Sequence, residues 1–181
     1  AYNAKAMGVD MGGVEAMALS HGHLDHVGGF AQLTAMINRP GLELVLHPEA
    51  FRDPRYLKVS DDLKIMFPPF TRQQAEDAGV KVTTAVQPHL MIDDTALFLG
   101  EIERTTDFET GAANLWFEAD GQPRQDTFED DTGLAFMVKG KGLVVLTGCA
   151  HAGVINTVSH AQKVTGQDRI LAVRGGFHLY G

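Results

Sequence analysis

The segment Ser20-His21-Gly22-His23-Leu24-Asp25-His26 puts three imidazoles and one carboxylate within six residues. Zinc and related divalent ions take imidazole nitrogens and carboxylate oxygens, and a catalytic site keeps one position for water, so clustered His and Asp on a tight turn is the sequence form of such a site. Side chains of an extended chain repeat every second residue, so His21 and His23 point to one side and can grip one ion together. Asp25 and His26 follow where the chain turns toward Gly28-Gly29, which lets them swing toward a neighbouring ion. Ser20 and Gly22 are small enough for the backbone to come close. Any one of these histidines alone reads as an ordinary surface residue, but the density of the cluster does not fit that reading. A structural zinc site would favour thiolates, and the chain has one cysteine, Cys149. The economical reading is two divalent ions, zinc first, with Mn, Fe or Ni accepted by the same ligand types.

A cluster of this kind needs elements to aim it. Glu15 to Leu19 reads as a short buried strand that delivers the chain to the histidines, after a short helix over Ala4 to Gly8. Gly28-Gly29 opens a helix whose apolar positions Phe30, Leu33, Met36 and Ile37 follow the three-and-four spacing of one packed face, and Pro40-Gly41 ends it. Leu42 to Leu46 reads as a strand closed by His47-Pro48, so strand, helix and strand follow in the order of a layered α/β domain. Arg52 to Pro69, broken by Pro54, Pro68, Pro69 and the pair Asp61-Asp62, reads as a long surface excursion. Val80 to Val86 and Ala96 to Leu99 have strand character, and Asp120 to Asp131 reads as a polar connection. Leu134 to Lys139 and Leu143 to Thr147, joined by Gly140-Lys141-Gly142, form a hairpin pattern. Gly148-Cys149-Ala150-His151 then turns into a helix from about Val154 to Val164, before a last strand over Ile170 to Val173.

The bulk properties fix the class of partner. At 181 residues, 44% hydrophobic and 21% charged, the chain is of ordinary globular composition and is read as one domain over 1–181. A formal net charge of −8 repels a nucleic-acid backbone or an anionic membrane, so a small molecule is the expected partner. One cysteine excludes an intrachain disulfide, and nothing is apolar for long enough to span a bilayer or act as a signal peptide, which points to the cytoplasm. The chain opens on Ala1-Tyr2-Asn3 and stops after Gly175-Gly176-Phe177-His178-Leu179-Tyr180-Gly181, a segment that normally feeds into more structure.

Ser20 to Gly29 resembles the H-x-H-x-D-H signature of the metallo-β-lactamase superfamily, whose fold is a four-layer αββα sandwich with metals at one edge of the sheets. Leu99 to Arg104 with Asp107-Phe108-Glu109, then Gly142 to Gly153, then Gly175 to Leu179 resemble one subgroup, the dihydropterin ribofuranosyl-aminobenzene phosphate synthase-like proteins. Carried over by position, the resemblance implies that His21, His23 and His151 hold one ion and that Asp25 and His26 begin the second site. His178 falls where many superfamily members carry an acid bridging both metals, so a His there departs from the majority. Relatives also have a strand with an aspartate before the first His cluster and a His-Cys-Thr-Gly segment after the Gly-Gly-Phe-His. Neither is present in this sequence, and the expected fold is the sandwich, incomplete at both ends.

Other residues carry two readings each. Cys149 reads first as a small buried hydrophobe at a strand end, with a ligand or reactive thiol as the alternative. His47 either lines the pocket or closes a turn, and Arg104 either holds a substrate phosphate or carboxylate through its planar fork or pairs with Glu101, Glu103 or Asp107. His89 and His160 read as surface residues, and Trp116 and Phe117 as core or lid. The function these residues imply is a metal-dependent hydrolase or synthase. A metal-activated hydroxide, oriented by Asp25, would act on a small phosphorylated or pterin-type substrate held by His47 and Arg104. The alternative is a non-catalytic module in which metal organises a ligand pocket for sensing.

Overall fold

The computed structural model describes residues 1–179; Tyr180 and Gly181, the last positions of the expected closing segment, lie outside the described residues. A short helix α1 (Tyr2–Ala6) leads to strand β1 (Ala16–Ala18), and the His-rich segment then runs into a one-turn helix α2 (Leu24–Val27) and helix α3 (Phe30–Ile37). Strands β2 (Glu43–Leu46), β3 (Arg55–Lys58) and β4 (Lys64–Met66) precede helix α4 (Arg72–Asp77). Strands β5 (Lys81–Thr84), β6 (His89–Met91), β7 (Ala96–Phe98), β8 (Leu115–Ala119) and β9 (Gln122–Gln125) follow. The last part holds β10 (Gly133–Val138), β11 (Gly142–Thr147), helix α5 (Val154–Thr165) and β12 (Ile170–Arg174). Helix α1 starts two residues earlier than the sequence suggests and is over by Gly8, whose φ of 66° leaves the helical region.

Strands β1, β2 and β5 form a parallel sheet in the order β1-β2-β5, and a second sheet runs β12-β11-β10-β7-β6. The period-two alternation of β2 sorts its side chains onto two faces: Leu44 and Leu46 pack with Phe30, Ile37 and Phe70, while Val45 packs with Phe98, Ala96 and Met91 of the second sheet. In β10, Leu134 and Phe136 join that inter-sheet layer, whereas Ala135 faces the other way with Leu143 and Val145 toward Ala161 of α5. The order through the molecule is therefore helix, sheet, sheet, helix. Helix α3 ends at Asn38, which at φ 50° takes the left-handed position and donates its backbone N–H to Thr34 O, and α4 opens on a Thr71/Gln74 capping box. Beside β1, at the end of its sheet, an open cleft of about 540 Å³ is lined by Met17, Leu33, Leu44, Phe98, Leu134 and Leu146.

Two stretches depart from their sequence reading. Residues 52–69 are a surface excursion only in part: 59–66 are exposed, but β3 and β4 join β8 and β9 in a third sheet, order β4-β3-β8-β9, and Arg55 and Tyr56 are almost fully buried. The polar connection 120–131 is exposed through β9 and then supplies the buried carboxylates Asp126, Asp130 and Asp131. The reason is common to both. Arg55 is buried by pairing rather than by apolar neighbours, with Nη1 and Nη2 donating to Asp130 at 2.9 and 2.8 Å and Nε 3.0 Å from Asp126 Oδ2, and hydropathy reads such charges as exposed.

Removing one partner of a buried charge pair leaves the others uncompensated, which costs about 3–5 kcal/mol, whereas an exposed pair contributes about 1 kcal/mol or less. Arg55→Ala is therefore expected to lower the unfolding free energy of the metal-free protein in urea by about 3–5 kcal/mol. Arg124→Ala, which breaks only the exposed 3.8 Å pair with Asp120, should stay within about 1 kcal/mol of the parent chain. Equal small effects from both would show that the third sheet is not held by this network.

Candidate metal centre

The His-rich segment leaves the end of β1 as extended chain, tied by Leu19 N–H to Val45 O on one side and by Thr132 N–H to Ser20 O on the other. Gly22 N–H donates to Asp130 Oδ2 at 2.8 Å, so the same carboxylate that clamps Arg55 also fixes the segment. A Cβ at Gly22 would lie 2.0 Å from Ala50 O and 2.8 Å from Arg55 Nη1, so only glycine permits this approach. His23, at φ −73° and ψ 150°, is the N-cap residue of α2, and this ends the extended run. His21 and His23 thus share one face, while Asp25 and His26 project from the first turn of a helix. His151 arrives from the turn between β11 and α5. Its backbone is held by Arg104, whose Nη2 donates to His151 O at 3.4 Å, and its neighbour Ala152 donates its N–H to Asp131 Oδ2 at 2.9 Å.

These elements bring His21, His23 and His151 together with ring centroids 4.5 Å apart for the first pair and 4.9 Å for each pair with His151. One donor atom from each lies within 4.8 Å of the other two, a looser bound than the roughly 3 to 4 Å of ligands around a shared ion. All three side chains are buried. Among the described residues His21 Nε2, His23 Nε2 and both nitrogens of His151 have no hydrogen-bond partner. Buried polar groups are normally satisfied, so orphaned imidazole nitrogens facing one another fit a cation as their missing partner. Burial, followed by the neighbouring His23 and His178, pushes the His151 pKa down to about 3, and burial with His23, His26 and His151 holds His21 well below the usual range. Both rings are neutral at pH 7, the state in which imidazole ligates metal. Phe128 stacks on His151 with centroids 4.6 Å apart and planes 13° from parallel, which fixes its ring.

A second group lies alongside. His26 Nε2 is 3.1 Å from Cys149 Sγ and 3.4 Å from Asp25 Oδ2, and its Nδ1 is 3.2 Å from Ser20 Oγ. Donor atoms of His21, His26 and Cys149 all lie within 4.8 Å of one another, as do those of Cys149, His151 and His178. His178 is exposed, with its ring centroid 4.4 Å from that of His151. Cys149 is half-buried, and burial with Asp25 and Asp131 pushes its thiol up to about 11. The sequence favours Cys149 as a small buried hydrophobe at a strand end; it is half-buried there, two residues before His151, with its sulfur at His26.

Acids and arginines stand behind the imidazoles. Asp131 Oδ1 lies 3.8 Å from His21 Nδ1, and burial pushes the Asp131 carboxyl up to about 7. Asp126 Oδ2 lies 3.9 Å from His23 Nε2. Burial would raise the Asp126 carboxyl, but His23, Arg55, the Phe128 N–H and Arg52 together hold it at about 2. His47 is buried, its Nδ1 accepting from Glu49 N–H and its Nε2 3.9 Å from Glu101 Oε2. Arg104 also donates to Thr127 O at 2.9 Å. Three cavities open onto the cluster: one of about 330 Å³ lined by His23, Asp25, Leu57, Phe67, His151 and His178, one of about 450 Å³ that includes Phe108, His151, Phe177 and His178, and the cleft of about 540 Å³ beside β1, whose lining includes Ser20, Asp25 and His26. His47 and Arg104 line none of them.

No family model matches the chain. It is 28% identical over 186 aligned residues to 7,8-dihydropterin-6-methyl-4-(beta-D-ribofuranosyl)-aminobenzene-5'-phosphate synthase of Methanocaldococcus jannaschii, covering 98% of this chain and 60% of that protein. A second, uncharacterized protein of the same organism is 28% identical over 175 residues, covering 93% of this chain and 59% of its own length. Among solved structures, a metal-dependent hydrolase of the beta-lactamase superfamily superposes with a TM-score of 0.75 at 26% identity, over 98% of this chain and 62% of the other. The chain thus spans about 60% of the length of the curated relatives it matches. With a buried histidine cluster and likenesses running along nearly all of its length, the chain is similar in sequence and fold to proteins of the metallo-β-lactamase superfamily.

Proposed function

We propose that this chain carries the metal site of a metal-dependent hydrolase or synthase acting on a small phosphorylated or pterin-type molecule. The observation that supports it most is the set of buried, partnerless nitrogens on His21, His23 and His151. In this reading those three residues hold one divalent ion, zinc before Mn, Fe or Ni, and Asp25 and His26 take part in holding a second, with His178 beside them. Bound there, such ions supply Lewis-acid chemistry, activating water near neutral pH and stabilising negative charge on a carbonyl or phosphoryl oxygen.

The chain's own residues do the rest. Asp25 is exposed on the wall of the smallest of these cavities, where its carboxylate accepts a hydrogen bond from the attacking water and orients it. Phe67, Leu57 and Phe108 provide apolar walls, and the two cavities they line are of the size that encloses a small molecule rather than a polymer. Asp131 faces Nδ1 of His21, the nitrogen opposite its partnerless Nε2, and so stands where a carboxylate supports a metal-binding histidine. Arg104 enters this reading through the His151 carbonyl it holds, and His47 through the turn it closes. The full αββα sandwich belongs to the same proposal: β1 is the edge strand of the first sheet, and the cleft beside it runs from Met17 and Leu146 to Asp25 and His26. A purely ligand-sensing module would bind metal and small molecule alike but turn nothing over.

Titration of the metal-free chain with zinc tests the metal reading. Wild type is expected to show two steps, with the tighter belonging to the imidazole triad; His21→Ala should abolish the tight step and His26→Ala should retain it. Equal loss of both steps in either variant would mean the residues do not divide between two ions.

A pH dependence follows from the same geometry. His21, His26 and His151 all take up protons less readily in the folded chain than free imidazole, whose pKa is about 6.5. Below that value the unfolded chain binds protons that the folded chain refuses, so their contribution is intact above about 6.5 and is lost as pH falls toward the folded values. Asp131, raised to about 7, acts in the opposite sense, its contribution fading as pH rises toward 7. Three groups outweigh one. The urea midpoint of the metal-free protein should therefore drop between pH 6.5 and 5, and His151→Gln should make the slope shallower by up to about 1.4 kcal/mol per pH unit. An unchanged slope would show that His151 titrates freely.

A further inference from the structure

The chain has one cysteine, and it stands where chance packing would not put a thiol. Cys149 follows the end of β11, and its placement is enforced from both sides. The preceding Gly148 is pressed against the His-rich segment so closely that a Cβ there would lie 2.1 Å from Ser20 Oγ and 3.3 Å from His26 Cε1. On the other side Gly176 N–H donates to Gly148 O at 2.7 Å, and a Cβ at Gly176 would meet Cys149 Cα at 3.4 Å. The sulfur is thereby delivered to His26 Nε2 at 3.1 Å, the same nitrogen that faces Asp25 Oδ2 at 3.4 Å.

From these contacts we infer that Cys149 is a thiolate ligand of the second metal position beside His26, in the donor group that these two form with the buried His21. This deepens the metal reading above and rests on it. A tetrahedral ion with a metal–sulfur bond of about 2.3 Å and a metal–nitrogen bond of about 2.0–2.1 Å has its sulfur and nitrogen about 3.5 Å apart, and its oxygen and nitrogen about 3.3 Å apart. The distances around His26 Nε2 match those two edges to within about 0.4 Å. As the sulfur–metal bond forms, the S–H bond breaks and its proton passes to solvent, the ordinary proton release of thiol ligation. Cys149 also belongs to the donor group with His151 and His178, so the sulfur lies between the two sides of the centre.

A thiolate changes the character of that position. The triad of His21, His23 and His151 offers neutral imidazoles only, which accept most divalent first-row metals, while sulfur biases the second position toward zinc and cobalt and away from manganese and magnesium. The two ions would then be chemically unlike.

Cobalt(II) added alone to the metal-free chain reads the difference. Wild type should bind two equivalents and show a thiolate-to-cobalt charge-transfer band in the near ultraviolet beside the visible d–d bands. Cys149→Ser should lose the charge-transfer band and one equivalent, while His23→Ala should keep the band and lose the other equivalent. Visible d–d bands in wild type without any charge-transfer band, or two equivalents retained by Cys149→Ser, would overturn the assignment of Cys149 and leave the metal reading standing. No cobalt binding by wild type would overturn the metal reading, and this inference with it. If Cys149→Ser loses its far-ultraviolet helical signal, the wild-type chain alone decides. Its single thiol should react with an aromatic disulfide reagent about tenfold or more slowly once zinc is bound, and an unchanged rate rules out ligation.

Discussion

Four histidines crowded together, with buried ring nitrogens and no partner for several of them, is an unfavourable arrangement in the metal-free chain. Each buried polar group left unsatisfied costs about 1–3 kcal/mol, and no apolar packing removes that penalty. The rest of the structure is organised around bearing it. The segment carrying His21, His23, Asp25 and His26 is held at β1, at Thr132 and at Asp130, and the turn carrying His151 is held at Asp131 and Arg104. Relaxing the cluster would require one of these anchors to break.

Asp130 is the point where site and scaffold meet. Its Oδ2 accepts both from Gly22 N–H and from Arg55 Nη1, so one carboxylate joins the His-rich segment to β3 of the third sheet. Asp131, next in sequence, reaches the other way to Ala152 and faces His21. Consecutive acids on one short stretch thus brace both sides of the centre. Two of its acids are paired with arginines, Asp130 with Arg55 and Asp126 with Arg55 and Arg52.

What the sequence revealed and what it hid divide along physical lines. The strand, helix and strand around the cluster, the β10–β11 hairpin and α5 were legible because their apolar positions repeat with the period of the element they form. The imidazole triad was legible only through resemblance, since nothing local connects His151 to His21 across the chain. The third sheet was not legible. Its strand β3 buries Arg55 against Asp126 and Asp130 of the following loop, and a pattern based on hydrophobicity assigns charges to solvent unless their partners are known. The contact of Cys149 with His26 was not legible for a related reason: nothing local in the sequence connects the two.

The anchors also account for the difference between the two halves of the centre. His21, His23 and His151 are all buried, each on a segment tied by backbone hydrogen bonds, so their geometry is set before any ion arrives. Asp25 is mostly exposed and His178 is exposed, and the turn carrying Asp25 is only four residues long. A preformed donor set loses little conformational entropy when it binds, whereas exposed side chains must be ordered at a cost of about 0.5–1.5 kcal/mol each. In the proposed reading the buried half is therefore suited to hold its ion throughout, and the exposed half, beside the cavities, is where a substrate would reach the site.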